Sequence, residues 1–108
     1  MGKTHKRLVN KKYRQLKHSG NYTSVAKNQI YPLGPHINDG GEIDVIAMNP
    51  KKSLLEIYEI KSSPKYIPCA VSQLKRAKKY YSQFNYENIK FFVYYNDYGL
   101  ESLLEVKV

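Results

Sequence analysis

Two apolar runs of this sequence hold ionisable side chains whose types and spacing suit phosphodiester chemistry. GEIDVIAM, residues 41–48, places Asp44 among branched aliphatic residues, and LLEIYEIKS, residues 54–62, places Glu59 and Lys61 two positions apart. Side chains at i and i+2 of a strand project from one face, so Glu59 and Lys61 emerge together. A lone charge buried in such a run costs several kcal/mol or is forced neutral. Asp44, Glu59 and Lys61 therefore need compensation from a metal ion or from one another. Carboxylates are hard oxygen donors suited to Mg²⁺ or Mn²⁺. An ammonium beside them orients or helps to deprotonate an attacking water, and offsets charge building on an attacked phosphate.

The interval of 15 residues from Asp44 to Glu59 leaves room for a hairpin turn at Asn49-Pro50-Lys51-Lys52. Asp44 followed by Glu59-Ile60-Lys61 resembles the PD-(D/E)xK nuclease superfamily, in which an Asp ends one strand and Asp/Glu-x-Lys lies on the next. The resemblance covers roughly His5 to Tyr95. It implies an α/β restriction-endonuclease-like core, a mixed central sheet flanked by helices in the order α-β-β-β-α-β-β. It also implies a deoxyribonuclease in which Asp44, Glu59, the Ile60 carbonyl and His5 hold one or two Mg²⁺ or Mn²⁺ ions and Lys61 positions the attacking water. The superfamily usually carries a Glu on its opening helix, whereas this chain has no acidic residue before Asp39. RecB-like members place a His there instead, and His5 in GKTHKRLV stands at the matching position. They also carry, in the helix after the Lys, a Gln followed four residues later by a Tyr. Gln73 matches the first of these, Ala77 stands at the second, and Tyr80 shares only its face. Archaeal Holliday-junction resolvases share the small size, basic charge and dimeric habit, but the missing Glu favours the RecB-like branch. Small proteins of this kind are frequent in archaea and their viruses, and the Lys, Tyr and Asn content agrees with an AT-rich genome.

Other ionisable residues compete for these roles. Glu42 shares strand parity with Asp44, which lies deeper in the apolar run and is the stronger ligand candidate. Glu56 differs in parity from Glu59, has no lysine two positions on, and reads as a solvated acid. His18 ends the first helix and His36 sits among prolines and glycines, so both have weaker claims than His5. Gln73 is placed to hydrogen-bond a catalytic carboxylate or a phosphate.

The elements that position these groups follow from periodicity. Leu8, Val9, Tyr13 and Leu16 recur at helical intervals from Thr4 to about His18, with Thr4 as N-cap and Gly20 as stop. Asn21 to Ile30 reads as an edge strand, and Pro32 to Gly41 as a loop delivering the chain to the Asp44 strand. Ser62, Ser63, Pro64 and Pro68 end the Lys61 strand. A second stripe, Ala70, Leu74, Ala77, Tyr81 and Phe84, predicts a helix over 70–84. Ile89 to Tyr95 reads as a buried strand, and Leu103 to Val108 as a short final strand or tail.

At 108 residues and 42% hydrophobic content the chain suits a single domain over 1–108 with one modest core. Its net charge of +9 favours a polyanionic partner, most simply DNA. Lysines and arginines gather on the two helices, with Lys11, Lys12, Arg14, Lys75, Arg76 and Lys79 as candidate phosphate contacts. Eleven tyrosines offer stacking surfaces or core filling. One cysteine, Cys69, excludes an internal disulfide framework. No signal-peptide pattern opens the chain, and IKFFVYY is too short to span a bilayer, so a cytoplasmic protein without a membrane partner is expected. A domain this small embraces a duplex more easily as a C₂ homodimer. The main competing reading is a non-catalytic basic module that coats nucleic acid.

Overall fold

The computed structural model describes residues 3–32 and 40–108. Most of the expected Pro- and Gly-rich loop, His36 included, lies outside them. The elements follow the predicted order: α1 (Lys3–His18), β1 (Ser24–Tyr31), β2 (Gly41–Asn49), β3 (Leu54–Lys61), α2 (Ile67–Tyr81), β4 (Asn88–Asp97) and β5 (Leu100–Val106). The protein is an α/β fold with one mixed sheet of five strands in the order β1-β2-β3-β4-β5. Neighbours pair antiparallel except β3 and β4, which run parallel because α2 carries the chain from the end of one back to the start of the other.

The helices cover opposite faces of the sheet. Leu8 and Val9 of α1 pack with Val45, Tyr58, Ile60 and Tyr94. Ala70, Leu74, Ala77 and Tyr81 of α2 pack with Ile43, Ile46, Leu55, Ile57, Phe91 and Val93. Burial on both faces explains why β2 and β3 read as near-continuous apolar runs rather than alternating ones. It also makes every charge within them costly.

Local chemistry sets the connections. Gly20, at φ +77°, ends α1 in the left-handed region that glycine tolerates. The β2–β3 turn forms where expected, with the Asn49 side chain accepting from the Lys52 N–H at 3.3 Å. Some sequence expectations need correction. Thr4 lies inside the first turn of α1 rather than capping it. Pro68 opens α2 instead of ending the preceding strand, since a first-turn residue needs no N–H donor. Phe84 lies beyond α2 and is 42% exposed. The last strand starts at Leu100, because Tyr98 and Gly99 take positive φ and turn the chain back within a tight hairpin. Among the described residues, no helix is long and apolar enough to cross a membrane.

Candidate active site

Because β2 and β3 are antiparallel, the start of one meets the end of the other, bringing Asp44 beside Glu59 and Lys61. The β2–β3 ladder at this end reaches Val45 and Tyr58. Beyond it the Asp44 carboxylate replaces a backbone acceptor, with Oδ2 receiving the Ile60 N–H at 2.8 Å. The same oxygen lies 3.4 Å from His5 Nε2, contributed by the first turn of α1. Across the β1–β2 register, Asp44 faces Asn28, whose φ of +54° interrupts the extended backbone. Ile43 and Ile46 both belong to the α2-side core while Val45 belongs to the α1 side, so simple alternation slips at Asp44. That irregularity lets one carboxylate serve a strand on one side and a helix on the other.

Glu59 is 2% exposed, and its Oε1 has no hydrogen-bond partner among the described residues. Burial first, then the negative charge of Asp44 beside it, push its carboxyl up to about 10, with Glu42 adding in the same direction and Lys61 opposing. Lys61 leaves the end of β3 with Nζ 4.0 Å from Cys69 Sγ on α2. One turn further along that helix, Gln73 carries a buried Oε1 that also has no partner among the described residues. Glu42 is exposed at the rim.

These donors fit a small divalent cation. A buried carboxylate with one oxygen unpaired among the described residues, a second carboxylate at its side and one ammonium nearby is short of positive charge. Mg²⁺ typically takes one or two carboxylates and keeps several waters. Among the described residues no three His, Cys, Asp or Glu side chains converge as a complete ligand cage. The candidate donors are Asp44, Glu59 and the Ile60 carbonyl. His5, expected as a further ligand, lies 3.4 Å from Asp44 Oδ2, where it also orients that carboxylate.

The basic candidates divide. Lys11 Nζ lies 2.7 Å from Glu101 Oε1, and Arg7 lies 3.4 Å from Oε2 of the same residue, so this flank of α1 is tied to β5. Lys12 sits 4.3 Å over the Tyr94 ring, and its burial draws its pKa down. Arg14, Lys75, Arg76 and Lys79 are exposed. Tyr80 packs against the core, its ring 5.5 Å from that of Tyr31.

Glu56 corrects the sequence reading. It is 8% exposed rather than solvated, and the Tyr22 and Tyr58 hydroxyls donate to its Oε1 at 2.6 and 2.7 Å. Tyr58 is two positions along the same strand face, a local signal that was available, whereas Tyr22 arrives from the segment before β1. Reading by position along the chain also missed Lys27, which the fold brings to α1, where its Nζ donates to Asn10 Oδ1 at 2.7 Å. No family model, curated protein or solved structure matches this chain.

Proposed function

We propose that this protein is a metal-dependent nuclease of the PD-(D/E)xK type that hydrolyses DNA phosphodiester bonds. The observation that carries the reading is the buried Glu59 carboxylate, one oxygen of which has no partner among the described residues, held beside Asp44 at one end of the sheet and followed by Lys61. Asp44, Glu59 and the Ile60 carbonyl would hold Mg²⁺ or Mn²⁺, with His5 fixing the orientation of Asp44. When bound, such an ion supplies Lewis-acid charge to the attacked phosphate and the leaving oxygen. Lys61 aligns the attacking water and offsets charge that develops on the phosphoryl oxygens. Gln73, on the helix covering this face, supplies an amide for a carboxylate or phosphate oxygen. The position of Glu59 and Lys61 at the carboxyl end of a strand in an open α/β sheet, where such folds tend to leave room for a ligand, supports the same reading.

The test is cleavage of labelled single-stranded, linear duplex, circular and four-way-junction DNA with Mg²⁺, Mn²⁺ or chelator. Cleavage is expected only with metal. Alanine at Asp44, Glu59 or Lys61 should abolish it while circular dichroism stays native. Undiminished cutting by all of these variants would overturn the assignment and leave a basic nucleic-acid-binding protein.

A further inference from the structure

Helix α1 carries two basic flanks with different fates. Arg7 and Lys11 face β5, where Glu101 receives both. Lys3, Lys6 and Asn10, at i, i+3 and i+7, share the other flank, over β1. There they line a cavity of about 440 Å³ together with His5, Lys27 and Glu42. Lys3, Lys6 and Lys27 are exposed, and among the described residues none of them forms an ion pair. Lys27 is held in place by Asn10 at 2.7 Å and lies 5.1 Å from the Tyr13 ring centroid. Three ammonium groups thus face one exposed carboxylate across a groove large enough for a sugar-phosphate unit.

The groove borders the candidate cleavage centre through His5 and Glu42. His5 lines it and also reaches Asp44 Oδ2 at 3.4 Å, and Glu42 is two residues from Asp44 on the same strand. Resting on the nuclease reading of Asp44 and Glu59, we infer that this α1–β1 groove binds the backbone phosphate of the DNA strand adjacent to the one being cut. Lys3, Lys6 and Lys27 supply the charge, and Asn10 keeps Lys27 aimed into the groove. Glu42 at its rim opposes an anion and makes binding weaker than it would otherwise be. The contact is with the backbone alone, so it confers affinity without base preference.

The experiment is fluorescence anisotropy of a short labelled single-stranded oligodeoxynucleotide, titrated with full-length protein in chelator over a range of salt. Lys6→Gln/Lys27→Gln is compared with Lys51→Gln/Lys52→Gln, which removes equal charge at the hairpin tip, the opposite end of β2 and β3 from Asp44. The groove variant should bind about tenfold more weakly at low salt, with a salt slope shallower by about 1.4 for two lost single-strand phosphate contacts. The hairpin-tip variant should behave as wild type, and Glu42→Gln should bind more tightly. Equal losses in both double variants, or no loss in the groove variant, would overturn the assignment. Because Lys27→Gln also removes the Asn10 contact, Lys6→Gln alone, with its melting curve, serves as the second variant. Metal-dependent cleavage by wild type is measured in parallel. Its absence would remove the nuclease reading, while the anisotropy comparison still decides whether the groove holds DNA.

Discussion

Replacing Glu59 by Gln should stabilise the metal-free protein at neutral pH and abolish its stabilisation by metal. The carboxyl is buried, lacks a partner for one oxygen among the described residues, and is pushed up to about 10 from an ordinary 4.5 by burial and by Asp44. In the folded protein it keeps its proton across that window, while in the unfolded chain it ionises above about 4.5. A group raised in the folded state contributes its stability fully below the unfolded value and loses it as pH climbs towards the folded value. The loss is about 1.4 kcal/mol per pH unit, so by pH 7 it reaches roughly 3 kcal/mol. This figure needs only that the folded value lie above neutrality, not its exact position. A glutamine does not titrate, and its amide can donate to Asp44. Glu59→Gln should therefore match wild type near pH 4.5 and exceed it by about 3 kcal/mol at pH 7, a gain of about 10 °C in melting temperature for a domain this size. Circular dichroism melts in chelator from acid to neutral pH measure the difference. Added Mg²⁺ or Mn²⁺ should then raise the wild-type melting temperature by mass action and leave the variant unmoved. A wild-type stability that stays level with the variant across this range, or metal stabilising both equally, would refute the electrostatic argument.

Further outcomes follow from other contacts. His5→Ala should raise the metal concentration needed for half-maximal cleavage by about tenfold, through loss of the hydrogen bond that orients Asp44, with little change in melting temperature. Tyr58→Phe removes one of two hydroxyls donated to the buried Glu56 and should cost about 1–3 kcal/mol in urea unfolding, whereas a loss under 0.5 kcal/mol would show that Tyr22 alone satisfies the carboxylate. Gly40→Ala should destabilise by roughly 2 kcal/mol or more in the same assay, since a Cβ there would meet the Tyr31 carbonyl oxygen at 1.7 Å.

Much of this arrangement was legible in the linear chain because its signals are local. Glu59 and Lys61 share a face through strand periodicity, and the Asn49–Lys52 turn is encoded by Asn and Pro. The helical stripes around Leu8 and Leu74 named the residues that would cover the sheet. What periodicity could not reach was decided by neighbours distant in sequence. Glu56 and Glu59 look alike in LLEIYEIKS, but Tyr22 and Tyr58 satisfy one while one oxygen of the other has no partner among the described residues. Asp44 serves both a helix and a strand only because the backbone irregularity opposite it, at Asn28, breaks the alternation that parity assumes. The lysines of α1 look equivalent in sequence, and only packing beside β5 neutralises one flank and leaves the other facing a groove. Spacing along one element determines which side chains travel together, but the free energy of a charge depends on its solvation and partners, and those come from the strands and helices that tertiary folding brings alongside.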